Sequence, residues 1–240
     1  MTSELTILLD IVRLVVGIII LSYASISDIK TRRASNLLWI IMGTIGGILL
    51  IIQYLTIGFD NIIQLIFIPI IIALMYVLFQ LRLLFGGADA KAVMTLAILV
   101  PIQPMIMEFP LWGNSFMPYS WVIFSNALIL FLFIPLSLLI YNIFKKNIEF
   151  PHCILGYKMN IEKAKQSFVW PLEKIKNGKR KFSYMPKNNN IDKDFKTFEK
   201  QGIKEIWVTP KIPFMIPLLA SFLVSFFLGD ILIHIMQSFT

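Results

Sequence analysis

The chain has 240 residues, of which 57% are hydrophobic and only 15% charged, and its mean hydropathy is +0.76. Soluble domains carry roughly 45–50% apolar and about 25% charged residues, so this composition excludes an ordinary soluble globular enzyme. It also excludes a disordered or collagen-like chain, and the single cysteine, Cys153, excludes an intramolecular disulfide framework. The 22 basic and 14 acidic side chains give a formal charge of +8. In so apolar a chain that surplus reports membrane sidedness and contact with anionic lipid, and it argues against a nucleic-acid partner.

A spanning helix needs about 20 mostly apolar residues. In chain order, 5–26, 37–55 and 62–85 meet that requirement, and 90–107 is a shorter span broken by Pro101 and Pro104 near its far end. Segments 119–144 and 212–236 complete a set of six. The expectation is an all-α membrane protein with six transmembrane helices: 1–144 forms helices 1–5, 145–208 a small cytoplasmic insert and 209–240 helix 6. Glu4, Asp10, Arg13 and the length of the first apolar stretch argue against a cleaved secretory signal.

Basic residues accumulate on the cytoplasmic side of short loops. Lys30, Arg32 and Arg33 follow the first segment, Arg82 and Lys91 flank the third junction, and Lys145 and Lys146 open the insert, whereas 56–61 and 108–118 contain no Lys or Arg. Both termini are therefore expected outside, with the insert inside a multi-pass cell-membrane protein. Within the insert, 205–209 reads as a short extended piece before Pro210, Pro213 and Pro217.

Acids in or beside apolar spans are costly and are functional candidates. Asp28 ends the first span and Asp89 lies at the third junction, so both fall at the cytoplasmic boundary. Ser22 and Ser25 lie near one helical face below Asp28, and Gly86 and Gly87 precede Asp89, where glycine permits positive φ and close approach of a peptide backbone. Two carboxylates within a few ångströms cannot easily both ionise. The ionised one takes a proton from an attacking water while the protonated one donates to a peptide carbonyl. A solvated loop acid and a plain glycine turn are the bland alternatives. Relay acids in a proton-coupled transporter are another, but such proteins carry internal repeats and midplane acids.

At Asp28-Ile29-Lys30-Thr31-Arg32, with Asn36, and at Gly86-Gly87-Ala88-Asp89, with Lys91, the chain resembles the type IV prepilin peptidase group of Gly-x-Gly-Asp membrane aspartyl proteases. The archaeal preflagellin peptidases are the nearer likeness, through the six-span layout, the insert before the last span and the run from Glu205 to Pro210 continuing to Gly229-Asp230. The resemblance implies removal of a short basic leader from preflagellins at the cytoplasmic face, with Asp28 and Asp89 catalytic, Gly86, Gly87 and Lys91 supporting, and no cofactor. Pilin-like precursors are the alternative substrates. Ala88 stands where the pattern has glycine. The paired Cys-x-x-Cys motifs of bacterial relatives are missing, so N-methylation is not expected, and the Pro-Ala-Leu motif of presenilin-type proteases is absent.

Other polar residues receive structural expectations. Asp10, Arg13 and Asp230 are expected to form an ion pair locking the first and last helices. His152 and His234 lack partners at metal spacing, so no metal is expected. Glu149, Glu162, Glu173, Asp192 and Asp194 are the acids available to a basic leader.

Overall fold

A computed structural model describes residues 4–59, 62–81, 83–84, 86–113, 115–176, 178–183 and 191–239, without the side chains of Asp192 and Lys193. Arg82 and Phe85 lie outside the described residues. The chain divides into one unit of 1–131 with 213–240 and a second of 132–212.

The first unit is helical. It contains α1 (Glu4–Thr31), α2 (Asn36–Thr56), a 3-10 turn (Ile62–Ile66) running into α3 (Phe67–Gln80), α4 (Gly87–Leu99) and the first half of α5 (Tyr119–Phe144). Two further helices close it after the second unit. The helices α1, α2 and α5, and the segment 62–80, are each long and apolar enough to cross a membrane. Large apolar side chains such as Val15, Ile19, Ile51 and Phe133 stand exposed on them, as lipid contact requires. The closing helices, α9 (Met215–Phe227) and α10 (Ile231–Gln237), are bent by 56° and count as a fifth span if taken together.

Helix α4 has 13 residues, about 20 Å at 1.5 Å per residue, and ends at Val100 ahead of Pro101. It packs against α1, α2 and α3. Only Lys91 is exposed along its length, so it is the central helix of the unit. Its small residues serve that place. A Cβ on Gly46 of α2 would come within 2.7 Å of the Leu99 Cα, so glycine lets the two backbones close together.

Buried polar groups tie the helices together. Near the start of α1, Arg13 donates to Asp10 at 3.0 Å and to Gln53 of α2 at 2.6 Å. Asp230 instead accepts from Ser115 at 2.9 Å and caps α10 through the Ile233 N–H. The expected lock between the first and last helices is therefore replaced by an α1–α2 link, because Asp10 sits one turn from Arg13 and forms the ion pair within α1. At the α9–α10 break, where Gly229 has φ +108, Asn126 of α5 donates to the Gly229 carbonyl and accepts from the Ile231 N–H. One amide thus satisfies backbone groups that the break leaves without helical partners.

The second unit holds the rest of α5, then α6 (His152–Leu155), β1 (Tyr157–Asn160), α7 (Ile161–Gln166), β2 (Val169–Pro171), β3 (Glu173–Lys176), β4 (Lys179–Phe182), α8 (Ile191–Lys200) and β5 (Glu205–Pro210). Strand β5 lies between β1 and β2, antiparallel to both, while β3 and β4 form a separate hairpin. The all-α expectation is corrected here: the protein is mostly helical with a small sheet region. The extended piece at 205–209 is the central strand. Phe195 and Phe198 of α8 pack with Ile161, Val169, Ile206 and Val208 to give this unit its own core. The Trp207 ring is fully buried and donates to Glu149 at 3.0 Å, while Asn142 of α5 donates to the Cys153 and Gly156 carbonyls.

Candidate active site

Asp28 and Asp89 both belong to the helical unit, and the charge of the Asp28 carboxylate acts on Asp89. Residues on different helices, far apart in sequence, are thus brought into one electrostatic neighbourhood. Asp89 is buried and Asp28 half-buried.

Asp89 is the third residue of α4. Gly86 precedes the helix in extended conformation and offers no capping side chain, and its N–H donates back to the Asp89 carboxylate. This is the return half of a capping box, and a carboxylate in the first turn also suits the helix dipole. Gly86 has φ −139, so the expected need for positive φ is not what the structure uses. Room is the reason: a Cβ there would lie 3.0 Å from Asp89 Oδ2. Gly87 and Ala88 are already helical, so alanine in the motif costs nothing, since it is a better helix former than glycine.

Asp28 lies in the last turn of α1, where its own helix dipole is unfavourable. Another helix compensates. Helix α9 has no side-chain cap of its own, and the N–H of its first residue, Met215, donates to Asp28. Ser25, one turn earlier on α1, donates to the Met215 carbonyl at 2.9 Å. Asp28 therefore serves as the N-terminal acceptor of α9. The Arg32 guanidinium is within electrostatic reach of the same carboxylate.

The loop between α1 and α2 is held by local bonds. Ser27 donates to the Arg33 carbonyl at 2.8 Å, Thr31 donates to the Ser27 carbonyl at 2.9 Å, Arg32 adopts φ +57, and Ser35 caps α2 through the Leu37 N–H. Asn36, the first residue of α2, then accepts from Lys91 Nζ at 2.8 Å. The start of α2 and the helix bearing Asp89 are thereby joined by a side-chain hydrogen bond. The pairing of Met215 with Asp28 and Ser25 had no local signal in the sequence; the only hint was the polar pair Ser25 and Asp28 at one-turn spacing.

Other candidates lie elsewhere. His234 stacks on Trp112 with ring centres 4.0 Å apart, and His152 meets Phe182 edge-on. Of the acids considered for a basic leader, Glu149 is bonded to Lys158 and Trp207, and Glu173 is paired with Arg180. The side chain of Asp192 lies outside the described residues.

The apolar helices make this a multi-pass helical membrane protein. Residues 15–144, more than half of the chain, match the type IV leader peptidase family, and 149–231 match a family described as archaeal peptidase A24 C-terminus type II. The chain belongs to the type IV leader peptidase family and is a peptidase. It is 29% identical over 238 residues to a preflagellin peptidase of Methanococcus voltae, covering 92% of this chain and 96% of that one. It is 28% identical to a preflagellin peptidase of Methanocaldococcus jannaschii, covering 95% and 98% of the two chains. A preflagellin peptidase of Methanococcus maripaludis is also 28% identical, over 90% and 94%.

Proposed function

We propose that this peptidase is an aspartic endopeptidase that removes the short basic leader of preflagellins at the cytoplasmic membrane face, using Asp28 and Asp89 as its paired acids. The observation that carries the reading is that Asp28 and the buried Asp89 belong to one helical unit, where the charge of the Asp28 carboxylate acts on Asp89. Relatives of nearly full-length coverage bearing the name preflagellin peptidase supply the substrate.

The chemistry follows from the pair. With one proton shared between the two acids, the ionised carboxylate takes a proton from water as that water attacks the scissile carbonyl carbon. The protonated acid donates to the carbonyl oxygen, giving a tetrahedral intermediate. Collapse breaks the C–N bond as a proton passes to the leaving amine, releasing the leader and the mature N-terminus. Gly86 leaves space beside Asp89 and holds its carboxylate by the backbone N–H; Gly87 begins the helix; Lys91 holds α4 to Asn36.

In this reading α4 is the sixth, short span. Its burial among α1, α2 and α3 supports that assignment, since a helix sheltered by protein need not match the full bilayer thickness. Both termini are then outside, and the 145–208 insert is cytoplasmic.

Purified full-length chain, reconstituted in bilayers and incubated with a preflagellin, should yield a product shortened by the leader. An unshortened band would overturn the reading. Equal cleavage of a preflagellin carrying a pilin-like leader would widen the substrate class to pilin-like precursors.

A further inference from the structure

The β3–β4 hairpin carries a charge arrangement that its fold does not require. Its register sets Lys174 opposite Lys181 and Lys176 opposite Lys179. Residues directly opposite each other, and residues two apart on one strand, share a face. All four lysines therefore belong to one face of the ribbon, where Lys176, Lys179 and Lys181 are exposed and Lys174 is half-buried. The other face carries Glu173, Ile175, Arg180 and Phe182. There Ile175 packs against the core of the unit, and Arg180 donates to Glu173 through both Nε and Nη2.

One face thus anchors the hairpin while the other concentrates positive charge. Like charges directly opposite on a ribbon destabilise it, and a merely solvated face ordinarily mixes signs. Among the described residues none of the four lysines has an ion-pair partner. An anionic surface laid against the face would convert this repulsion into attraction.

We propose that the four-lysine face of β3–β4 docks on the anionic headgroups of the membrane that this chain itself occupies. The unit is joined through α5 at one end, and through the segment leading to α9 at the other, to apolar helices. A bilayer is therefore present at high effective concentration, whereas nucleic acid or an acidic protein must arrive by diffusion. Each lysine near such a surface strengthens the docked state roughly fivefold.

The test is hydrogen exchange of the 173–182 backbone in the full-length protein, reconstituted in phosphatidylcholine nanodiscs and in nanodiscs containing phosphatidylglycerol. Exchange should slow in the anionic discs, and high salt should abolish the slowing. It should also be lost in the variant carrying Lys174→Gln, Lys176→Gln, Lys179→Gln and Lys181→Gln, and kept when the same four become Arg. Equal exchange in both discs, or equal slowing in the Gln variant, would overturn the proposal. So would slowing that appears in neutral discs only when a soluble nucleic acid or acidic protein is added. None of these outcomes depends on peptidase activity, so the proposal stands or falls apart from the proposed function.

Discussion

Asp28 carries two roles: it interacts with Asp89, and it receives the first N–H of α9. Asparagine keeps the acceptor for α9 while removing the charge, which makes it the better probe than alanine. Around Asp89 the demands are steric and positional. Gly86→Val should place branched carbon against a carboxylate already 3.0 Å from the glycine's implied Cβ, cutting cleavage at least tenfold with little change in thermal unfolding. Lys91 acts through Asn36 and is a positioning residue. A hydrogen bond to a charged group contributes about 1.5–3 kcal/mol, so Lys91→Met should lower kcat by roughly tenfold or more if that contact sets the site. Asn36→Ala should do the same, the double variant should be no worse than either single one, and Lys91→Arg should restore part of the rate. Additive losses in the double variant would break the link.

At the scale of elements, the central helix depends on small residues. Gly46→Leu would drive a branched side chain into the Leu99 backbone and should destabilise the α2–α4 contact by about 1–3 kcal/mol, measurable as a lowered unfolding temperature in detergent. In the second unit, the Lys158 hydrogen bond holds the Glu149 carboxyl below its ordinary range, reinforced by the Trp207 N–H and opposed by partial desolvation. A carboxyl lowered in the folded state stabilises above its unfolded pKa, near 4.5 here, and that contribution disappears as pH falls through the folded value. The unfolding temperature of Glu149→Gln should therefore lie below that of the unchanged protein at neutral pH, and the difference should close on acidification. A constant difference would assign the loss to packing instead.

Across the whole molecule, legibility followed the length of the physical signal. Bilayer thickness imposes long apolar runs, so α1, α2 and α5 stand near their expected bounds, and charges at the edges of such runs made Asp28 and Asp89 conspicuous. The strands have only three to six residues, too few for alternation to declare itself, and β4 is basic throughout all but its last residue. The Asn177-Gly178 pair between β3 and β4 was nevertheless a usable hairpin signal. Long-range polar pairings, such as Asn126 with the α9–α10 break or Met215 with Asp28, leave no local periodicity and emerge only when helices pack.

The claim on which these scales meet is that the two acids work as one catalytic unit. The most direct measurement is cleavage of a preflagellin by full-length protein in bilayers, comparing the unchanged chain with Asp28→Asn and Asp89→Asn at matched folded amounts. Each single variant should lose processing while the unchanged chain shortens the substrate. Substantial processing by either variant would contradict the account.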